Sequence, residues 1–249
     1  MSQDGKTILE VAGVTKHFGG LTALRDITFS IPRESIVALI GPNGAGKTTL
    51  FNVISGVYVP NSGAIRIEGM NITGKSPHIV CKTGIARTFQ IVRPFLQMTS
   101  LENVMVGAMF GTRKELGLQE AMDKAQEWLE FVDIADKRDI IASNLTLPDR
   151  KKVELAKALA SNPRMVLLDE VISGLNPTET ASAMELIRRI RDHLKITIFW
   201  VEHIMDAVIR LADHIIVLHY GEKIAEDTPQ KIITNQKVID AYLGEQYVF

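Results

Sequence analysis

Only one cysteine, Cys81, occurs in the 249 residues, so an internal disulfide is excluded and a reducing compartment fits. The plainest reading of that thiol is a small, partly buried hydrophobe. An excess of one charge is missing too. A formal net charge of −1 leaves no basic footprint of the kind that nucleic-acid binding needs. Long hydrophobic runs are absent: the apolar stretches at 36–40, 165–168, 196–201 and 215–218 are strand-sized and fall far short of the about 20 residues that cross a bilayer. The opening residues, Met1 to Lys6, are short and polar, without the apolar centre of a leader peptide. A chain soluble by itself is expected, reaching a membrane only through a partner. No solenoid-period repeat and no low-complexity tract is visible.

What is there begins with an ordinary apolar content and enough length for one large domain, or one domain carrying an insertion. Residues 8–11, 27–31 and 64–68 mix β-branched and alternating residues between Gly, Asn and Pro signals and read as strands. The four apolar stretches are near-continuous, as in strands covered on both faces. Helical stretches at 179–193 and 204–211 separate the last three, which predicts βαβ units and a parallel sheet. Between about 100 and 159 no strand is evident. Ala121, Ala125, Trp128, Leu129 and Val132 recur at helical spacing, as do Val153, Ala156, Leu159 and Ala160. The pattern is an α/β core with an inserted helical block, and Trp128 lies on the core stripe of that block.

"GPNGAGKTT" runs through Gly41, Pro42, Asn43, Gly44, Ala45, Gly46, Lys47, Thr48 and Thr49, after an apolar strand and before a helical stretch at 48–54. That is the setting a phosphate-binding loop needs. Its glycines let consecutive amides wrap a phosphate, and the helix start adds its positive dipole end. Lys47 would reach the outer phosphates of a nucleotide and the Thr48 hydroxyl would ligate Mg²⁺. "RMVLLDE" then carries Asp169 to the C-terminal end of a buried strand, where open α/β sheets bind ligands. Asp169 suits the Mg²⁺ shell, and Glu170 is placed to polarise an attacking water. "ITIFWVEH" puts His203 at the end of another apolar strand, predicted to neighbour the Asp169 strand. Gln90, in "IARTFQ", means nothing alone.

Taken in order, these pieces resemble an ATP-binding cassette (ABC) ATPase subunit along almost the whole chain. The resemblance implies a P-loop NTPase fold of the RecA-like type: a parallel sheet core with N-terminal antiparallel β elements and an inserted α-helical subdomain. It implies one domain, with its core at about 1–92 and 160–249 and the helical subdomain at about 93–159. Phe18 matches the aromatic residue that stacks on adenine, Gly41 to Thr49 the Walker A loop and Gln90 the Q-loop, a further Mg²⁺ ligand. Asp169 ends Walker B, Glu170 matches the catalytic base and His203 the switch histidine. Ser173, Gly174, Leu175 and Asn176 are similar to the D-loop, with Asn in place of Asp. Val171 stands where proline commonly follows the base. Within the family, "GIARTFQ", "MTSLENVMVGA", "GLNPTET", "WVEHIMDAV" and "VIDAYLGE" look like the cassettes of branched-chain amino acid uptake systems, whose relatives serve urea and short amides. The segment 111–120 is shorter than in many such subunits.

One motif departs from the family. The signature, Leu-Ser-Gly-Gly-Gln before a basic helix, aligns with Leu145, Thr146, Leu147, Pro148 and Asp149 before Arg150, Lys151 and Lys152. In the family this helix start touches the γ-phosphate held by the other cassette of a head-to-tail dimer. Leu147 adds bulk, Pro148 has no N–H to give, and Asp149 brings a charge that would repel phosphate by roughly 4 kcal/mol at ~4 Å and an effective dielectric of about 20. Thr146-x-x-Asp149 also reads as a capping box. Two readings stay open: a well-capped but weakened signature, or one that works through Thr146 and other amides.

The resemblance implies ATP and Mg²⁺ as ligands, transmembrane permease subunits docked near residues 91–100, a second cassette expected to be a different chain, and indirectly a solute-binding protein. It places the chain in the cytoplasm, on the inner face of the membrane. The competing class is a non-transport ABC ATPase acting on nucleic acid or ribosomes. Such proteins carry twin cassettes, coiled coils or basic linkers, none of which the sequence contains, and no nucleic-acid partner is expected.

Overall fold

Alternating apolar residues in the first third build a long hairpin rather than separate short strands. In the computed structural model, which describes residues 6–88, 94–111 and 116–243, β1 (Thr7–Phe18) and β2 (Leu21–Pro32) pair antiparallel. The strands read at 8–11 and 27–31 are their most buried parts. Their polar remainder stays in the ladder because the pairing bonds come from the backbone.

The chain then crosses to a second sheet with β3 (Ile36–Ile40), wholly buried, and turns into α1 (Lys47–Ile54). It returns to the first sheet with β4 (Ser62–Ile67) and β5 (Met70–Asn71), giving the order β2-β1-β4-β5. A short helix, α2 (Pro77–Lys82), leads to the three-residue β6 (Ile85–Arg87). Next come α3 (Ser100–Phe110), α4 (Leu118–Phe131) and α5 (Leu147–Ala160), with no strand among their described residues beyond an isolated bridge between Thr99 and Ile141. Strands and helices then alternate: β7 (Met165–Asp169), α6 (Pro177–Leu194), β8 (Thr197–Val201), α7 (Met205–Leu211) and β9 (His214–His219). The hairpin strand β10 (Glu222–Asp227) and the helices α8 (Pro229–Ile232) and α9 (Gln236–Leu243) end the described chain.

The second sheet runs β10-β9-β3-β8-β7-β6, parallel throughout except for the β9–β10 hairpin. Both of its faces are covered. Leu50, Phe51, Val53 and Ile54 of α1 fill the space between the sheets, where Phe51 meets Phe199 of β8 at 5.1 Å between ring centroids. On the opposite face Val166, Leu168 and Trp200 join the apolar sides of α3, α4, α5 and α6 in one cluster. Trp128 packs against that cluster, edge-on to Phe131. Cys81 is partly buried, and burial pushes its thiol up. Among the described residues no helix is long and apolar enough to cross a membrane. Gln90, residues 91–93 of the expected docking segment and the centre of 111–120 lie outside the described residues.

The order β3-β8-β7 sets up the site. Three neighbouring parallel strands end side by side, so the loops after Ile40, Val201 and Asp169 share one edge of the sheet.

Candidate functional site

The loop after β3 is shaped by close backbone approach. Gly41 has φ 149°, and a Cβ there would lie 2.1 Å from the Leu218 carbonyl oxygen. Gly46, at φ 102°, is the left-handed N-cap of α1 and supplies no side-chain cap, and a helix start of this kind suits an anion. Neighbouring chain fixes the loop: the Gly221 amide donates to Ala45 O at 3.1 Å, and the Arg25 amide to Gly221 O at 2.7 Å. The Lys47 ammonium donates to the carbonyls of Gly41 and Pro42 at 2.6 and 2.7 Å, lying across the loop it would complete.

Around this loop is a cavity of about 700 Å³ whose lining includes Phe18, Arg25, Asn43 to Thr49, Glu170 and Tyr220. It falls in the size range of small-molecule sites. Phe18 stands at the rim, edge-on to Tyr58 at 5.1 Å, with the Lys16 ammonium 5.0 Å from its ring centre. None of residues 145–149 lines this cavity.

Asp169 is 4% exposed at the end of β7. Its Oδ2 accepts from Arg87 Nη2 at 3.1 Å, and the same guanidinium donates to Asn52 Oδ1 and Ser55 Oγ at 2.6 and 3.0 Å. Burial pushes the Asp169 carboxyl up; the Arg87 hydrogen bond and charge oppose this without cancelling it. Burial likewise pulls the Arg87 guanidinium down. Glu170 follows with φ 50°, a left-handed conformation that costs a non-glycine residue free energy and concentrates at functional sites. Its amide donates to Val201 O at 2.9 Å, which locks the turn to the end of β8. His203 Nδ1 lies 4.0 Å from Glu170 Oε1. The Lys47 loop, Asp169, Glu170 and His203 are therefore brought together as read.

The signature segment requires a correction. Thr146 is the N-cap of α5 and its Oγ1 accepts from the Asp149 amide at 3.4 Å, but the capping box is not completed. The Asp149 carboxylate instead takes the Thr146 hydroxyl at 2.6 Å and the Lys137 ammonium at 2.7 Å. Burial raises this carboxyl, but the bonds from Lys137 and Thr146 outweigh it and hold the group below the usual carboxylate range. An 8% exposed, ion-paired Asp149 is not the free charge that the repulsion argument assumed. Leu147 is 47% exposed and keeps its bulk at the surface.

Three roles went unread in the sequence. Lys151 donates to the carbonyls of Val171 and Ser173 at 3.0 and 2.5 Å, tying α5 to the turn that carries Gly174 and Leu175. Asn176 caps α6 in a reciprocal box with Glu179, at 2.9 and 3.0 Å; Asn-x-x-Glu at 176–179 was the available signal. The Arg87–Asp169 pair spans 82 positions and had no local signal.

Comparison with known proteins agrees with this geometry. The ABC transporter family matches residues 24–173, and the branched-chain amino acid ATP-binding cassette transporter family matches residues 222–248. The high-affinity branched-chain amino acid transport ATP-binding protein BraF of Pseudomonas aeruginosa is 39% identical, across 96% of this chain and 99% of its own. The crystal structure of an ATP-binding cassette of an ABC transporter in its ADP conformation superposes with a TM-score of 0.87 at 32% identity, covering 96% of this chain and 99% of that one. A dimeric bacterial ABC transporter cassette gives a TM-score of 0.81 at 25% identity, over 89% and 99% of the two chains. With the loop, the two acids and the histidine on one sheet edge, the chain belongs to the ATP-binding cassettes of the ABC transporter family and is an ATP hydrolase of that type.

Proposed function

We propose that this chain is the ATP-hydrolysing subunit of a membrane importer for branched-chain amino acids. The observation that carries the reading is the convergence of Lys47, Asp169, Glu170 and His203 on one sheet edge, in a chain 39% identical to BraF across nearly its whole length.

Phe18 packs on the adenine base at the rim. The α1 amides and Lys47 hold the phosphates, where an ammonium and oriented N–H groups outcompete water. Among the described residues no cluster of three or more His, Cys, Asp or Glu would hold a metal by itself. Mg²⁺ is bound by few protein oxygens together with substrate phosphates. The Thr48 hydroxyl and the Asp169 carboxylate would supply such oxygens, with Gln90, which lies outside the described residues, expected as a further ligand from the family resemblance, and the ion would neutralise phosphate charge. Glu170 takes a proton from the water whose oxygen attacks the γ-phosphorus, while the bond to the ADP oxygen breaks. His203 steadies the γ-phosphate.

Residues 145–149 do not line this chain's own cavity, and in this reading they face the nucleotide of a second cassette in a head-to-tail dimer, as in the family they resemble. That partner is a different chain carrying an intact signature, which completes the competent site. The permease subunits dock on a groove of about 380 Å³ beside β6 and α3, where Phe95 and Phe110 are 49% and 70% exposed. This holds the cassette on the cytoplasmic face, with a solute-binding protein acting from the other side. Reconstitution with permease and partner cassette tests the reading. ATP-driven leucine uptake that disappears with Lys47→Ala supports it; ATP turnover without uptake of any branched-chain amino acid overturns it.

A further inference from the structure

The residue before the switch histidine is a buried acid with no assigned task. Glu202 is 1% exposed at the end of β8. Its Oε1 accepts from the amides of His203 and Ile204 at 2.9 and 3.4 Å, and lies 3.3 Å from His203 Nδ1. Its Oε2 has no hydrogen-bond partner among the described residues. A buried carboxylate with one unsatisfied oxygen is costly, and a neutral isostere would fold at least as well. The Lys151 ammonium, which feels the Glu202 charge, donates to the carbonyls of Val171 and Ser173. Burial pushes the Glu202 carboxyl up, as expected of a group that folding alone does not favour.

The geometry points to Glu202 as a positioning residue for hydrolysis, holding the His203 ring by its Nδ1 edge so that Nε2 is presented to the γ-phosphate. Nδ1 faces two carboxylates, Glu202 at 3.3 Å and Glu170 at 4.0 Å, so the proton of a neutral ring belongs on Nδ1. A ring that also donates to a phosphate through Nε2 must then carry a second proton, and Glu202 is the buried counter-charge beside it. The arrangement follows the logic of a buried acid that orients a histidine and balances its charge. This rests on the proposed role of His203 in the preceding section.

The first test uses the unmodified full chain. Nitrogen-15 spectra of the histidines, taken about two pH units above the ordinary imidazole value, with the His203 signal assigned by its loss in His203→Ala, should show the Nδ1–H tautomer. An Nε2–H tautomer overturns the inference, whatever the variants do. The second test is a double-mutant cycle on ATP hydrolysis in the assembled transporter. Glu202→Gln should keep or raise the melting temperature and leave KM for ATP unchanged, while kcat falls on the order of 10- to 100-fold. In the His203→Ala background the same change should cost nothing further. An undiminished loss in that background, or no loss in the wild-type background, overturns the inference. If His203→Ala itself keeps the wild-type rate, the role of His203 falls instead.

Discussion

Replacing Leu147, Pro148 and Asp149 with Gly, Gly and Gln restores the glycines and glutamine of the family's signature, and its outcome can be worked from the structure. The change removes an acid that holds both the Thr146 hydroxyl and the Lys137 ammonium. Gln keeps one of those bonds, so about 1–2 kcal/mol is lost there, taken at the low end because the Lys137 side chain is 34% exposed. Exchanging Leu and Pro for glycine in the first turn frees the unfolded chain and costs about 1–2 kcal/mol more. The sum, about 2–4 kcal/mol, lowers the melting temperature by about 5–15 °C for a chain of this size and leaves it folded. Activity should move the other way. The one amide regained at position 148, together with the amide at 147 once its side-chain bulk is removed, donates one or two bonds to a charged phosphate, each about 1.5–3 kcal/mol, so ATP turnover by the purified chain, where two copies must face each other, rises by about tenfold or more. Asp149→Asn alone should raise it by less than about threefold, because Lys137 already balances that charge. Phosphate release measured at matched protein concentration, with melting curves as the control, decides it. If the unmodified chain is as fast as the restored one, the asymmetric-dimer reasoning is wrong. If Asp149→Asn reproduces the whole gain, the ion pair does not neutralise the acid.

Two further perturbations test the site's electrostatics. Arg87→Met leaves Asp169 as an unpaired buried charge and should cost about 3–5 kcal/mol by chemical denaturation, most of it recovered when Asp169→Asn is added; a loss under about 1 kcal/mol, within the range of an exposed pair, would refute the pairing. Lys137→Met should cost about 1 kcal/mol at neutral pH. Since the folded Asp149 carboxyl is held below its unfolded value, the contribution is complete above that unfolded value of about 3.9 and vanishes as pH falls through the folded one. The melting gap between wild type and Lys137→Met should therefore close on acidification, and a gap independent of pH would contradict the pair.

Much of this was legible because the relevant signals are local. The apolar runs at 36–40, 165–168 and 215–218 coincide with β3, β7 and β9 to within a residue or so, since strands buried on both faces leave no polar positions to confuse their limits. The phosphate loop shows itself through glycines whose places are set by close backbone approach. Less legible were β6, three residues long, and β10, whose Glu222–Asp227 segment is polar and only partly buried, because neither carries a periodic apolar pattern. The partners of Asp149 and Asp169 lie 12 and 82 positions away, so the spacing around either acid says nothing about its charge state. That is why the expected repulsion at Asp149 was overestimated. Glu202 was hidden for another reason: a single acid after an apolar strand has many structural uses, and only its burial beside His203 singles it out.

The most direct test of the central claim, that Glu170 deprotonates the water attacking an ATP held by the Lys47 loop, is a single-turnover measurement on Glu170→Gln in the assembled transporter. Glutamine keeps the size and hydrogen-bonding reach of the side chain but cannot take the proton. ATP binding should match the wild type, while the hydrolysis step slows by about 10²–10⁴-fold, as expected on losing a general base. Hydrolysis at the wild-type rate with unchanged binding would contradict the account.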